Sequence, residues 1–240
     1  MTNLSNFTRF AGITVALATT FGSAQNSQAA VVTLGFEGVG DQARVLEFYN
    51  GGNDSVGNSG TNYGISFAND ALGIIDSDVP GGTGNVGGEP SPSTVLFFLG
   101  GRAATMNAAA GFDTGFSFFY SAISNTGFIN VYDGLNGAGN ILTTLNLPTT
   151  PNNGAPDPTG QFSPFLPIGV SFSGIARSVD FGGTANQIAF DNITLGAAIP
   201  GTTPGTGSTA VPEPFTIVGT LIGATAAYRT RKRLKATNKL

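Results

Sequence analysis

Between residues 31 and 195, apolar and polar side chains alternate in short runs separated by clusters of Gly, Asn, Asp, Ser and Pro. A period of two is the spacing of side chains on opposite faces of a strand, and the punctuation is that of tight turns. No stretch keeps a 3.6-residue period over helical length. The pattern predicts strands at Val31–Glu37, Arg44–Tyr49, Gly64–Phe67, Ala71–Asp76, Thr94–Leu99, Phe112–Ser121, Phe128–Asp133, Ile141–Leu147, Gly169–Ser173, Ala176–Phe181 and Gln187–Leu195. So many short strands with Asn/Gly-rich turns predict an all-β fold, a two-sheet antiparallel sandwich over residues 30–196. Phe116, Phe118 and Tyr120 fall on one face of a long strand, and Phe128, Asn130 and Tyr132 on one face of the next. No repeat of fixed period is present, which argues against a propeller or β-helix.

The two ends break this pattern. Residues 1–29 have a polar start with Arg9, an apolar run from Phe10 to Phe21 and a small-residue segment ending Ser27-Gln28-Ala29. That order predicts a signal peptide cut after Ala29. At 1.5 Å per residue, its apolar run of about a dozen residues is too short to cross roughly 30 Å of hydrocarbon. Residues 197–210 are a Gly/Pro/Thr run with little to bury, as expected of a flexible linker.

The segment 211–240 opens with Val211-Pro212-Glu213-Pro214 and continues as an uncharged stretch from Phe215 to Tyr228. It ends in a basic cluster that includes Arg229, Arg231, Lys232, Arg233 and Lys235. This order resembles the PEP-CTERM sorting signal of bacterial exported proteins. The resemblance implies a short transmembrane helix at about 215–228 that holds the chain in the inner membrane. It also implies processing near the Pro-Glu-Pro box by an exosortase-type enzyme, in systems that accompany exopolysaccharide production. The physics agrees: the prolines block a helix from starting upstream, and the basic terminus stays cytoplasmic by the positive-inside rule. The body is then outside, at the cell surface or beyond it.

Charge separates body from tail. Residues 30–196 carry three arginines against thirteen acids, a formal excess of ten negative charges. Such a surface repels nucleic acid and favours divalent cations or neutral ligands. With no Cys and no His in the chain, thiolate nucleophiles, disulfides and imidazole-based catalysis are all excluded.

Few motifs carry chemistry. Gly38-x-Gly40-x-x-Ala43 follows a predicted strand, but no βαβ unit follows it, so it reads as a turn rather than a dinucleotide site. Asp76-x-Asp78 with Gly81 begins like a calcium loop, yet Pro80 and Gly87 stand where ligands belong, which leaves a solvated loop. A glycoside hydrolase needs only two carboxylates, for which Glu37, Glu47 and Glu89 are candidates that the sequence cannot place on one cleft. An ice-binding face would show a Thr-x-Thr ladder, and none is present.

The segments Gly127–Asp133, Ser178–Phe181 and Phe190–Leu195 resemble the ends of jelly-roll domains of the galactose-binding and carbohydrate-binding kind. The stretches Tyr63–Phe67 and Gly111–Tyr120 are similar to those of other PEP-CTERM proteins. The resemblance implies a non-catalytic surface or matrix protein that contacts exopolysaccharide. It also implies a structural calcium: in such modules an acid near the first strand and an Asp on the last share one ion, and Glu37 and Asp191 occupy the matching places.

Overall fold

A computed structural model describes residues 31–101, 103–152, 157 and 159–201. The segments expected to be a signal peptide, most of the linker and a sorting tail lie outside the described residues. Among those described, no helix is long and apolar enough to cross a membrane.

Eleven strands form: β1 (Val32–Leu34), β2 (Ile65–Phe67), β3 (Leu72–Ile75), β4 (Thr94–Phe97), β5 (Ala103–Phe112), β6 (Gly115–Ser121), β7 (Gly127–Tyr132), β8 (Ile141–Leu147), β9 (Leu166–Ser171), β10 (Ala176–Gly183) and β11 (Ala189–Leu195). They make two antiparallel sheets. Sheet A has the order β3-β4-β11-β6-β9 with β1 also on β11, and sheet B has the order β2-β5-β10-β7-β8. The predicted sandwich is therefore present.

Two strand expectations are corrected, and one strand goes beyond them. Arg44–Tyr49 is not a strand: Arg44 makes an isolated bridge with Leu72 and turns follow, with Leu46 at φ 47°. Its alternation arises because Val45, Phe48 and Tyr49 are buried without being paired in a sheet. The long strand from Phe112 is cut by a turn at Asp113-Thr114, where Gly115 N donates to Asp113 O at 2.8 Å. The ten-residue strand β5 before that turn was not predicted, because its Ala-rich sequence has weak strand propensity. It is held by pairing on both sides, with β2 and β10.

Phenylalanines from both sheets fill the centre. Phe116, Phe118 and Phe190 of sheet A meet Phe181 of sheet B, all fully buried. Phe181 and Phe190 lie 5.1 Å apart edge to face, and Phe118 touches both at 6.1 and 5.7 Å. Each such pair contributes about 0.5–1.5 kcal/mol beyond area burial.

Strand β11 organises sheet A. Along one edge it pairs with all of β6; along the other it pairs first with β4 at Phe190 and then with β1 from Ile193 to Leu195. The change of partner coincides with a bulge after Asp191, where Asn192 takes φ 47°. Sheet A also carries a second apolar cluster on its outer side, in which Val95 and Ala189 pack against Val86 and Phe165, flanked by Ile74, Phe119 and Phe162. Two loop segments, about 77–92 and 159–165, thus roof this face. They are stitched by the bonds from Phe162 N to Asn85 O (3.0 Å) and from Gly87 N to Phe162 O (3.2 Å).

Candidate functional site

The roof stops short of the end of sheet A and leaves a cleft of about 380 Å³. Its floor is Phe97 at the end of β4 and Ala189 at the start of β11, and its walls come from the roof (Thr83, Asn85, Phe162, Gln161) and the turns Ile123-Ser124 and Asn186–Ile188. Among the described residues, no ionisable side chain lines it. The amides are held in place by one another: Asn85 Nδ2 donates to Gln161 Oε1 and Gln161 N donates to Asn85 Oδ1, both at 2.9 Å. Asn125 Nδ2 donates to Gln187 Oε1 at 3.0 Å. Asn186 sits in a left-handed turn (φ 59°), its backbone N bonded to Phe98 O at 2.8 Å, while its side chain makes no hydrogen bond among the described residues. An amide offers two donors and two acceptor positions, so each one here keeps capacity for a ligand. Chemically the cleft can hold a neutral molecule rich in hydroxyls against two aromatic rings.

No family model matches the chain, and no curated protein matches it. Among solved structures, it is similar to the K2 cleaved adhesin domain of Lys-gingipain, at 10% identity over 69% of this chain and 99% of that one, with a TM-score of 0.43. It is also similar to a family 6 carbohydrate-binding module, at 15% identity over 54% and 85% of the two chains (TM-score 0.35). A third likeness is to CsCBM6-3 from Clostridium stercorarium in complex with cellobiose, at 16% identity over 51% and 91% (TM-score 0.32).

The roof also gathers acids. One carboxylate oxygen from each of Asp76, Asp78 and Asp157 lies within 4.8 Å of the others. Thr159 Oγ1 donates to Asp157 Oδ1 at 2.7 Å and lies 3.0 Å from Asp78 Oδ2. Close approach here requires glycine: a Cβ on Gly87 would sit 2.8 Å from that of Asp157. Burial raises the Asp76 carboxyl above its ordinary range, and the charges of Asp78 and Asp157 add to the shift. Glu89 has a buried Oε1 without a partner, and burial, joined by the fields of Asp76, Asp191 and Asp157, pushes its pKa up to about 7. Three hard oxygen donors suit calcium, which takes six to eight of them. The Asp76-x-Asp78 spacing was visible in the sequence; Asp157, far along the chain, was not.

Glu37 and Asp191 meet at one segment, Ser91–Thr94. Asp191 is fully buried and accepts from Ser91 N (2.8 Å), from Ser91 Oγ at both oxygens (2.7 and 2.8 Å) and from Asn192 N. Burial pushes its pKa up to about 6, against the pull of these donors and with help from the Glu37 charge. Glu37 accepts from Thr94 N at 2.8 Å and Ser93 N at 3.1 Å. Between them the two acids pin the loop entering β4 to the bulge of β11. Glu47 is exposed in a turn, accepting from Asn50 at 2.7 Å. None of Glu37, Glu47 and Glu89 lines the cleft.

Proposed function

We propose that this protein is a non-catalytic glycan-binding protein of the cell exterior, and that its cleft holds a neutral sugar unit of an exopolysaccharide. The observation that carries this reading is the lining itself: side-chain amides and hydroxyls beside Phe97 and Phe162, without any charge. Amides pair with sugar hydroxyls as both donor and acceptor, and a ring face covers the apolar side of a pyranose. A hydrolase would need a carboxylic acid and a second carboxylate about the bond to be cut, and the cleft lining has neither.

In the same reading the leader exports the chain, and the Val211–Pro214 box with its basic terminus holds it in the inner membrane until an exosortase-type enzyme processes it. Calcium serves as a structural ion. Asp76, Asp78 and Asp157 are the better donor set, since they bring three carboxylates within 4.8 Å of one another where Glu37 and Asp191 supply two.

Calorimetry against neutral oligosaccharides such as cellohexaose tests the cleft. Binding is expected to weaken by about tenfold in Asn186→Ala, the loss of one or two hydrogen bonds at about 1 kcal/mol each. No new reducing ends are expected over long incubation. Release of reducing ends, or undiminished binding by a variant that joins Asn186→Ala to Phe162→Ala, would overturn the reading.

A further inference from the structure

The outer side of sheet B is built differently. Alternation buries Met106, Val131 and Val179 and turns their neighbours outward, so that Thr105, Asp180, Asn130 and Thr144 line up across four strands. Thr105 Oγ1 donates to Asp180 Oδ1 at 2.7 Å, and Thr144 Oγ1 pairs with Asn130 Oδ1 at 2.8 Å. At about 4.8 Å between strands this polar row is roughly 14 Å long, the length of two or three sugar units.

Beside the row lies an aromatic platform. Gly182 is in register with Phe128, and a Cβ on Gly182 would overlap the carbons of the Phe128 ring. The ring therefore lies over the glycine and is half-buried. Tyr132 is on the other side of the row, two residues beyond Asn130 on β7 and in register with Ser178 of β10. The turn 134–139 then folds over as a wall: Ser178 Oγ donates to Gly134 O at 2.6 Å, and Asn107 and Asn136 pair at 2.7 and 2.9 Å. Its Gly137 passes so close that a Cβ there would lie 3.0 Å from Asp180 Oδ2.

Charge selects the occupant. Asp180 has neutral hydroxyl partners but no ion-pair partner among the described residues. It belongs to a body with ten more acids than bases. A uronate or sulfated chain is repelled here, and a neutral chain leaves the carboxylate without a counter-charge. A protonated amine satisfies it through a charge-assisted hydrogen bond, with the Phe128 and Tyr132 rings adding a cation–π attraction. We propose that this open face is a second binding surface, for a polysaccharide carrying free amino groups such as glucosamine units. It is separate from the cleft and stands without it.

The test uses the purified full chain at about pH 6, below the ordinary pKa of an amine. The probes are a glucosamine hexamer, the N-acetylglucosamine hexamer and cellohexaose, followed by calorimetry. The free-amine hexamer is expected to bind about tenfold more tightly than its acetylated form, the worth of one charge-assisted hydrogen bond. Asp180→Asn should abolish that preference and Phe128→Ala weaken it. Asn186→Ala in the cleft, and Asp70→Asn at an exposed acid outside the polar row, should leave it intact. Equal affinity for the two hexamers overturns the proposal, as does a preference that survives Asp180→Asn. An equal loss in Asp70→Asn also overturns it, because it would mean general attraction of a polycation. The fold of each variant is verified by its melting curve. Loss of cellohexaose binding in Asn186→Ala reports on the cleft alone, so the two readings fail separately.

Discussion

Sheets A and B share one phenylalanine core, yet their outer faces have opposite fates. On sheet A the outward positions Ile74, Val95, Phe119 and Ala189 are apolar, beside the buried Asp191 and Ser121, and two loops fold down to cover them. On sheet B the outward positions are Thr105, Asp180, Asn130 and Thr144, and only one short turn leans over them. A second roof forms where the pleat would otherwise expose hydrocarbon, and that roof brings the cleft and the acids with it. The polar face, needing no cover, stays open as a surface. The same two-residue alternation thus decides which face becomes a pocket and which a platform.

Phe181→Ala should have the largest effect, because this side chain of sheet B packs against Phe116, Phe118 and Phe190 of sheet A together. A loss of about 3–5 kcal/mol is expected in urea unfolding, with both faces lost in a single transition. Separate transitions for the two sheets would break the idea of a common core.

Calcium should act on the roof alone. Saturation at about 100 times its Kd would add about 2.7 kcal/mol by binding only the folded state. Hydrogen exchange should slow in segments 76–91 and 159–165 and stay unchanged in β7 and β8. Asp157→Asn should abolish the gain. An unchanged melting temperature at millimolar calcium would remove the ion.

The smallest effect is that of pH, and it too separates the faces. Asp191 is raised from 3.8 to about 6 and Glu89 from 4.5 to about 7, both by burial on the roofed side. Between the ordinary and the raised values the folded state holds more protons than the unfolded chain, so these groups lose stability as pH rises from about 4 to 7 and change nothing above. Acidifying from pH 7.5 to 5.5 should raise the melting temperature by a few degrees. Lower still, the gain is lost as Asp54, whose carboxyl is held below its ordinary range by donors from Gly40, Val56 and Asn58, becomes protonated. A melting temperature that falls on the way to pH 5.5 would mean that Asp191 and Glu89 do not hold their protons.

Much of the fold was legible because burial on one side of a strand leaves a mark every second residue. Phe116, Phe118 and Tyr120 were placed together correctly, as were Phe128, Asn130 and Tyr132. The Ala-rich β5 left no such mark, since small side chains contrast little with their neighbours and its stability comes from two partner strands. Arg44–Tyr49 left a false one, because buried turns can alternate too. The cleft was invisible for another reason. Its residues come from turns and strand ends far apart along the chain, and neutral amides such as Asn85, Gln161 and Asn186 are common in any turn.

The pairing of β1 with the end of β11 has a mechanical consequence. It brings Val32 beside Leu195 at one end of β11, while Asn186 and Ala189 mark the other end with the cleft. A glycan pulling at the cleft against a chain held beyond Gly201 would send its force down the length of β11. The ladders to β6, β4 and β1 run alongside that line and would be loaded in shear, their hydrogen bonds sharing the tension together instead of opening one after another. Pulled in this way, the domain resists as a rivet does, and a zipper is not the right comparison.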